Sequence, residues 1–187
     1  MARQMINSGF MYICRRDKDF RPVIVVNLSI MKNFTGEFLE LIQPVTDFLV
    51  SYSVGKINLP GKAETFVTIL DLQNVSFYQM PLTGIRKLLG SLQTNFRGRS
   101  YKTFILHANM MLRGSWSMVK GYLDEFTASK INFLGKTYKQ DLCQYINPVN
   151  LEVKYGGVLA DKTTGFFPPD MHCEGEEMIT MAEYNAS

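Results

Sequence analysis

The segment from Tyr101 to Gly157 constrains the fold most, because strand, amphipathic helix, strand and short helix follow one another with almost no linker between them. Tyr101-Lys102-Thr103-Phe104-Ile105-Leu106-His107 alternates and is apolar enough to be a sheet strand, with even-numbered side chains facing one way and odd-numbered ones the other. Arg113-Gly114-Ser115 then opens a predicted helix with apolar positions Trp116, Val119, Leu123 and Phe126, a spacing that makes one oily stripe. Lys120 and Asp124 lie off that stripe. A second short strand, Lys130 to Gly135, follows directly. A stripe so soon after a buried strand has to cover something apolar.

The rest of the chain extends the alternation. Phe10–Cys14 is predicted as a first strand and Arg15–Asp19 as a charged turn. Arg21-Pro22 starts the run Val23-Ile24-Val25-Val26, apolar on both faces and so expected inside a sheet. Phe34–Tyr52 is predicted as a helix with Phe38, Leu41, Ile42, Val45 and Leu49 on one side and a kink at Pro44. Ser53–Lys62 is expected to be a surface loop and Glu64–Leu72 the next strand. Pro81 stands at a helix start, followed by the apolar face Leu82, Ile85, Leu88, Leu89, Leu92 and Phe96. Helices alternating with strands imply crossovers, hence an α/β fold with a mixed, mainly parallel β-sheet flanked by helices. The length of 187 residues suits one domain, placed here at residues 1–165. Phe166-Phe167-Pro168-Pro169 breaks the pattern, and residues 166–187, with the acidic end Glu174-Gly175-Glu176-Glu177, read as a C-terminal tail.

Several function classes find no support. Gly135-Lys136-Thr137 resembles the end of a phosphate-binding loop, but the position that needs the first glycine is Lys130. There is no Gly-x-Ser-x-Gly elbow, and neither His107 nor His172 has a partner at metal-ligand spacing. Catalysis, a metal and a cofactor are therefore not expected, and a net charge of +3 gives no reason to expect nucleic acid. Cys14, Cys143 and Cys173 are odd in number and lack C-x-x-C spacing, which favours reduced thiols in a cytoplasmic protein. No apolar run approaches the ~18 residues of a membrane span, and the N-terminus lacks a signal-peptide core. The Asn-x-Ser/Thr triplets at Asn27, Asn33, Asn74 and Asn185 then read as chance. Eleven methionines suit a pocket that adapts to its contents.

Four stretches, in order, resemble the CRAL-TRIO, or Sec14-like, lipid-binding domain. Asp19-Phe20-Arg21-Pro22-Val23-Ile24 is similar to its turn into the second strand, and Glu64 to Leu72 to its central strand. Thr127-Ala128-Ser129-Lys130-Ile131 is similar to its T-x-x-K-I step. Asn150-Leu151-Glu152-Val153-Lys154-Tyr155-Gly156-Gly157 is similar to its closing signature, with Glu152 where proline is usual. The resemblance implies an internal apolar pocket closed by a mobile gate helix. Phe66, Ile105, His107, Trp116, Val119, Leu123 and Phe126 would form the pocket and gate, with Gly114 and Gly121 supplying backbone freedom. An acyl chain of about sixteen carbons crossing water would cost on the order of 12 kcal/mol at ~0.8 kcal/mol per methylene. A roof of Trp116, Val119 and Leu123 would replace that water with apolar contact.

The resemblance also implies headgroup contacts. Lys154 holds the position of the lysine that meets an inositol phosphate in phosphatidylinositol-transfer members. Phe66 and Thr68 hold the positions of a serine–threonine pair that meets the phosphate in phosphatidylcholine-binding members. Thr68 keeps a donor, Phe66 removes one, and weak or absent phosphatidylcholine binding is expected. The family's usual N-terminal helical lobe is not seen ahead of the first strand, so the chain is either a domain of a longer protein or a minimal version. Arg15, Arg16 and Lys18, with Arg97, Arg99 and Lys102, could meet anionic lipid at ~1 kcal/mol per charge. The expected partners are a lipid such as phosphatidylinositol, a tocopherol or a retinoid, and transiently a membrane surface, for a monomeric, cytoplasmic, peripherally associated protein. The alternative is a pocket-less interaction module, in which Trp116 and Leu123 would pack straight onto the central strand without a void.

Overall fold

The computed structural model describes residues 1–33, 36–76 and 82–171. Phe34, Pro81, His172, Cys173 and the acidic end lie outside these residues, as do the side chains of Phe38 and Leu82. Five strands form one sheet in chain order: β1 (Met11–Arg16), β2 (Pro22–Asn27), β3 (Phe66–Asp71), β4 (Ser100–Leu106) and β5 (Ile131–Phe133). The first pair is antiparallel and the other three pairs are parallel. Each strand falls where β-branched or alternating apolar residues predict it, within one or two residues at the ends.

The helices are α1 (Ala2–Ile6), α2 (Gly36–Tyr52), α3 (Leu82–Asn95), α4 (Met110–Gly114), α5 (Trp116–Lys120), α6 (Glu125–Ser129) and α7 (Tyr138–Tyr145). Two expectations change. Helix α2 runs unbroken through Pro44 and passes into a π-helical turn, Ser53–Ile57, where a plain loop was expected. The single amphipathic helix expected from Arg113 to Phe126 is instead three short pieces, with breaks at Ser115 and at residues 121–124. Asn109 and Asp124 accept the N–H groups of Leu112 and Thr127, so α4 and α6 each start on their own cap.

Parallel strands added one after another, joined by right-handed crossovers, put every crossover on the same side of the sheet. Helices α2, α3 and α4–α6 accordingly lie over the face that carries Ile24, Thr68 and Ile105. The other face carries Tyr12, Val23, Val25, Val67, Ile69, Phe104 and Leu106, which pack against Leu142, Ile146, Leu151 and Tyr155. Phe166 belongs to this second core: it is 6 % exposed and its ring lies 5.0 Å from that of Tyr12. Phe167 packs on Tyr52 and Phe48. The stretch from Phe166 to Phe167 is thus part of the folded body, because two adjacent aromatics find apolar seats on its surface.

The closing signature is explained by space. Gly156 has φ +100°, and a Cβ on Gly157 would stand 1.8 Å from the Leu151 carbonyl oxygen. Nothing lies within 4 Å of a Cβ built on Gly90, in the exposed interior of α3. Gly157→Ala is therefore expected to lower the melting temperature by roughly 10 °C or to prevent folding. Gly90→Ala should leave it unchanged or raise it slightly, and thermal unfolding followed by circular dichroism checks both.

Candidate functional site

Between the sheet and the crossover helices lies a cavity of about 530 Å³. Its floor is built from alternate residues of neighbouring strands, Ile24 and Val26 of β2, Phe66, Thr68 and Leu70 of β3, Thr103 and Ile105 of β4, and Ile131 and Phe133 of β5. Its roof is the inner stripe of α2 (Leu39, Ile42, Thr46 and Val50) and that of α3 (Leu88, Leu89, Leu92 and Gln93). Leu112, Trp116, Val119 and Leu123 complete it from the α4–α6 segment. The wall is mostly hydrocarbon, so water inside gains few hydrogen bonds and an apolar occupant gains contact with the wall.

The α4–α6 segment is anchored by the buried Leu112, packed with Leu72 and Ile105, and by a set of ring and polar contacts that includes Arg86 over the Tyr122 ring. The Trp116 ring meets Phe133 edge-on at 5.3 Å. The Arg113 guanidinium donates to the carbonyls of Ala108 and Leu134 at 3.1 and 2.7 Å. Gln93 of α3 donates to the Tyr122 carbonyl at 2.9 Å and accepts from the Asp124 N–H at 3.0 Å. Met110, Met111 and Met118 are exposed on its outer side.

Of the residues singled out from sequence, the structure brings Phe66, Thr68, Ile105, Trp116, Val119 and Leu123 together on the cavity wall. It places three elsewhere. Phe126 is 64 % exposed, because the break after α5 turns it away from the stripe, and the Lys130 ammonium sits 4.0 Å over its ring. His107 has φ +56°, which ends the strand alternation that would have aimed it beside Ile105. Its Nδ1 lies 2.7 Å from an Asp71 carboxylate oxygen, and its ring stands edge-on to Tyr138 at 4.9 Å.

Lys154 lies beneath the opposite face of the sheet. Its ammonium donates to Glu152 at 3.1 Å and to the Tyr12 hydroxyl at 3.0 Å, between the rings of Tyr12 and Tyr155. Lys154 and Thr68 are therefore separated by the sheet, and one headgroup inside the cavity cannot touch both. Glu152, wholly buried, also accepts the Tyr12 hydroxyl and the Lys162 N–H at 2.6 Å. Proline at position 152 would leave Tyr12 and Lys154 without this acceptor.

The sequence reading named the apolar stripes of α2 and α3 without assigning them to the pocket, and it gave Arg97 a surface role towards anionic lipid and Lys130 a place in the T-x-x-K-I step, whereas all of these supply residues to the cavity wall. The signal for the roof was present: two amphipathic crossovers between successive parallel strands must share one face of the sheet.

A sheet floor, a one-sided helical roof and an apolar void between them define an α/β domain built around an internal hydrophobic cavity. The family model described as the CRAL/TRIO domain matches residues 6–157, and the chain belongs to the CRAL-TRIO family. It is 32 % identical over 169 residues to a CRAL-TRIO domain-containing protein of Saccharomyces cerevisiae, covering 83 % of this chain and 54 % of the relative. It is 30 % identical over 160 residues to the SEC14 cytosolic factor of Eremothecium gossypii, covering 78 % of this chain and 51 % of that protein. The crystal structure of Sfh5 superposes with a TM-score of 0.63 at 14 % identity, over 72 % of this chain and 51 % of that one, and shares its Sec14-like fold. The chain spans about half the length of the curated relatives it matches.

The face opposite the cavity carries the strongest electrostatic perturbations. Burial pushes the Cys14 thiol up to about 12 from 9.0. Burial, then the Glu152 carboxylate, raises the Tyr12 hydroxyl, and burial, then the Asp71 carboxylate, raises that of Tyr155. Each group holds its proton in the folded state and gives it up more readily when unfolded. The stability they contribute is complete below their unfolded values of about 9 to 10 and is lost as pH rises. The melting temperature should fall progressively between pH 9 and 11. Cys14→Ala should make that slope shallower by about one proton, ~1.4 kcal/mol per pH unit.

Proposed function

We propose that this domain takes a lipophilic molecule into the cavity and carries it between membranes or presents it to another protein. The observation that supports this is the apolar cavity of about 530 Å³ roofed by Trp116, Val119 and Leu123. These residues leave a void above the strand floor, which favours a carrier over an interaction module that has lost its pocket. Family membership supports the same reading, as does the name cytosolic factor borne by relatives such as that of Eremothecium gossypii. No described helix is long and apolar enough to cross a membrane. We place the protein in the cytoplasm as a monomer that touches membranes peripherally while loading and unloading.

Loading requires the α4–α6 segment to swing. Its fastenings include the contacts of Gln93, Arg113, Trp116 and Leu112 described above and that of Arg86 with Tyr122. The cargo is a phosphatidylinositol-type phospholipid or another small lipophile. Phosphatidylcholine is disfavoured, since Phe66 brings bulk and no hydroxyl to the floor beside Thr68. We give Lys154 a structural role, because its ammonium is already engaged by Glu152 and Tyr12 on the far side of the sheet.

Organic extraction of the purified protein, with mass spectrometry of what co-purifies, tests the proposal. A stoichiometric lipophile other than phosphatidylcholine is the expected result. Trp116 is the only tryptophan, so uptake from liposomes should shift its emission. Thr68→Phe, which fills the floor, should abolish both signals while the circular dichroism spectrum stays native. A clean extract together with no uptake would sink the carrier reading.

A further inference from the structure

The floor passes into the roof over three residues, His107 to Asn109, between the end of β4 at Leu106 and the start of α4 at Met110. His107 takes φ +56° there. That conformation crowds a Cβ against the backbone carbonyl, so it persists only where the surrounding contacts hold it. One such contact is visible. The His107 Nδ1 lies 2.7 Å from an Asp71 carboxylate oxygen, at the end of the neighbouring strand β3. Asp71 is 5 % exposed and is itself held in place. The same oxygen accepts the Gln73 N–H at 2.9 Å, and the other accepts the Tyr155 hydroxyl at 3.2 Å.

The remaining hydrogen bonds at this joint belong to the segment that would move. Asn109 caps α4 through the Leu112 N–H, and the Arg113 Nε donates to the Ala108 carbonyl. Both travel with α4 when it turns. Two hydrogen bonds lead from here back to the body of the domain: Arg113 to the Leu134 carbonyl, and His107 to Asp71. Only the second involves a histidine, the side chain whose charge changes between roughly pH 5 and 8.

We infer that His107 is a proton-set latch on the roof: its bond to Asp71 holds the joint in the left-handed step that closes α4–α6 over the cavity, and loss of the bond lets the joint relax and the segment swing. The inference rests on the carrier reading for its purpose and on the joint alone for its geometry. An ionised carboxylate only accepts, so Nδ1 carries a proton whether the ring is neutral or charged. With Nε2 protonated as well, the contact is an ion pair; with Nε2 bare it is an ordinary hydrogen bond, about half as strong. Closure is therefore firmest at the acid end of the range and weakens as pH rises. The titratable groups that face the imidazole do not compete with it. They are Tyr138 of α7, edge-on at 4.9 Å, and Tyr155 across Asp71; burial raises both hydroxyls, and each keeps its proton here. The Arg113 charge, at the next carbonyl, is constant.

Amide hydrogen exchange on the whole chain tests this, read as protection factors that divide out the intrinsic pH dependence. Between about pH 5 and about pH 8, residues 110–126 should lose about three- to tenfold in protection, the margin of a charge-assisted bond over a neutral one. Strands β3 and β4 should keep theirs, since the opening is local. His107→Asn sets an amide nitrogen at the place of Nδ1 and tolerates the left-handed step. It should hold protection near the high-pH level with no pH dependence. His107→Ala should fall below that level at every pH and speed the uptake of cis-parinaric acid, followed by energy transfer from Trp116. His107→Gly, which accepts any φ, should act in the same direction and keeps the test informative should His107→Ala unfold. His172 is the only other histidine and is present throughout. Protection of residues 110–126 that ignores pH, a pH dependence that survives His107→Asn, or unchanged protection in His107→Gly each overturns the latch. If exchange behaves as expected but cis-parinaric acid never enters, the latch stands and the carrier reading falls.

Discussion

Everything about the cavity depends on the order in which the strands enter the sheet. Strands β2 to β5 are added one after another in the same direction, so right-handed crossovers stack α2, α3 and α4–α6 on a single face. Three roofing elements then share one sheet face, while the C-terminal part of the chain is left to cover the other. The covering on that second side is dense, with Leu142, Ile146, Leu151 and Tyr155 all at 1 % exposure or less. On the first side, the helices leave an apolar void over the strands.

The two faces divide their chemistry as they divide their packing. The closed face concentrates buried charge: Glu152 with Lys154 and Tyr12, and Asp71 with His107 and Tyr155. Such groups are tolerated there because each carboxylate has several donors, and removing one partner would leave an unpaired charge in a dry place. Glu152 ties β1 to the closing signature, residues far apart in the chain, through the Tyr12 hydroxyl. This locks the sheet from behind, so the roof can be lightly fastened without loosening the fold. Stability and access are handled on opposite sides of the same strands.

Thr68 and Ile105 came from the resemblance, and Trp116, Val119 and Leu123 from the helical stripe; all five line the cavity. Parity failed at His107, where a left-handed backbone step turns the ring back towards Asp71. The stripe failed at Phe126, where a helix expected to be continuous restarts on the Asp124 cap. Lys154 was misplaced for a different reason: its local motif is clear in the sequence, but which face the motif wraps is a tertiary fact. Arg97 carried no periodic signal, since it lies in the turn after α3; its basic cluster was visible in the sequence, and its place on the cavity wall was not.

The fastenings of α4–α6 set the scale on which the roof can respond to cargo. Hydrogen bonds from Gln93 and Arg113 and the edge-on Trp116–Phe133 contact hold it in place, together with Arg86 over the Tyr122 ring, Arg113 over the Phe133 ring and the buried Leu112 packed with Leu72 and Ile105. Burial of a methylene is worth ~0.8 kcal/mol, so each one that enters the cavity is comparable to a single one of these polar contacts. In an empty domain the closed roof covers a void that contributes little dispersion energy on its inner side. A domain with its chain in place gains those contacts on Leu70, Ile105 and Trp116. On the carrier reading proposed above, closure over cargo would be favoured relative to closure over nothing, with no separate switch.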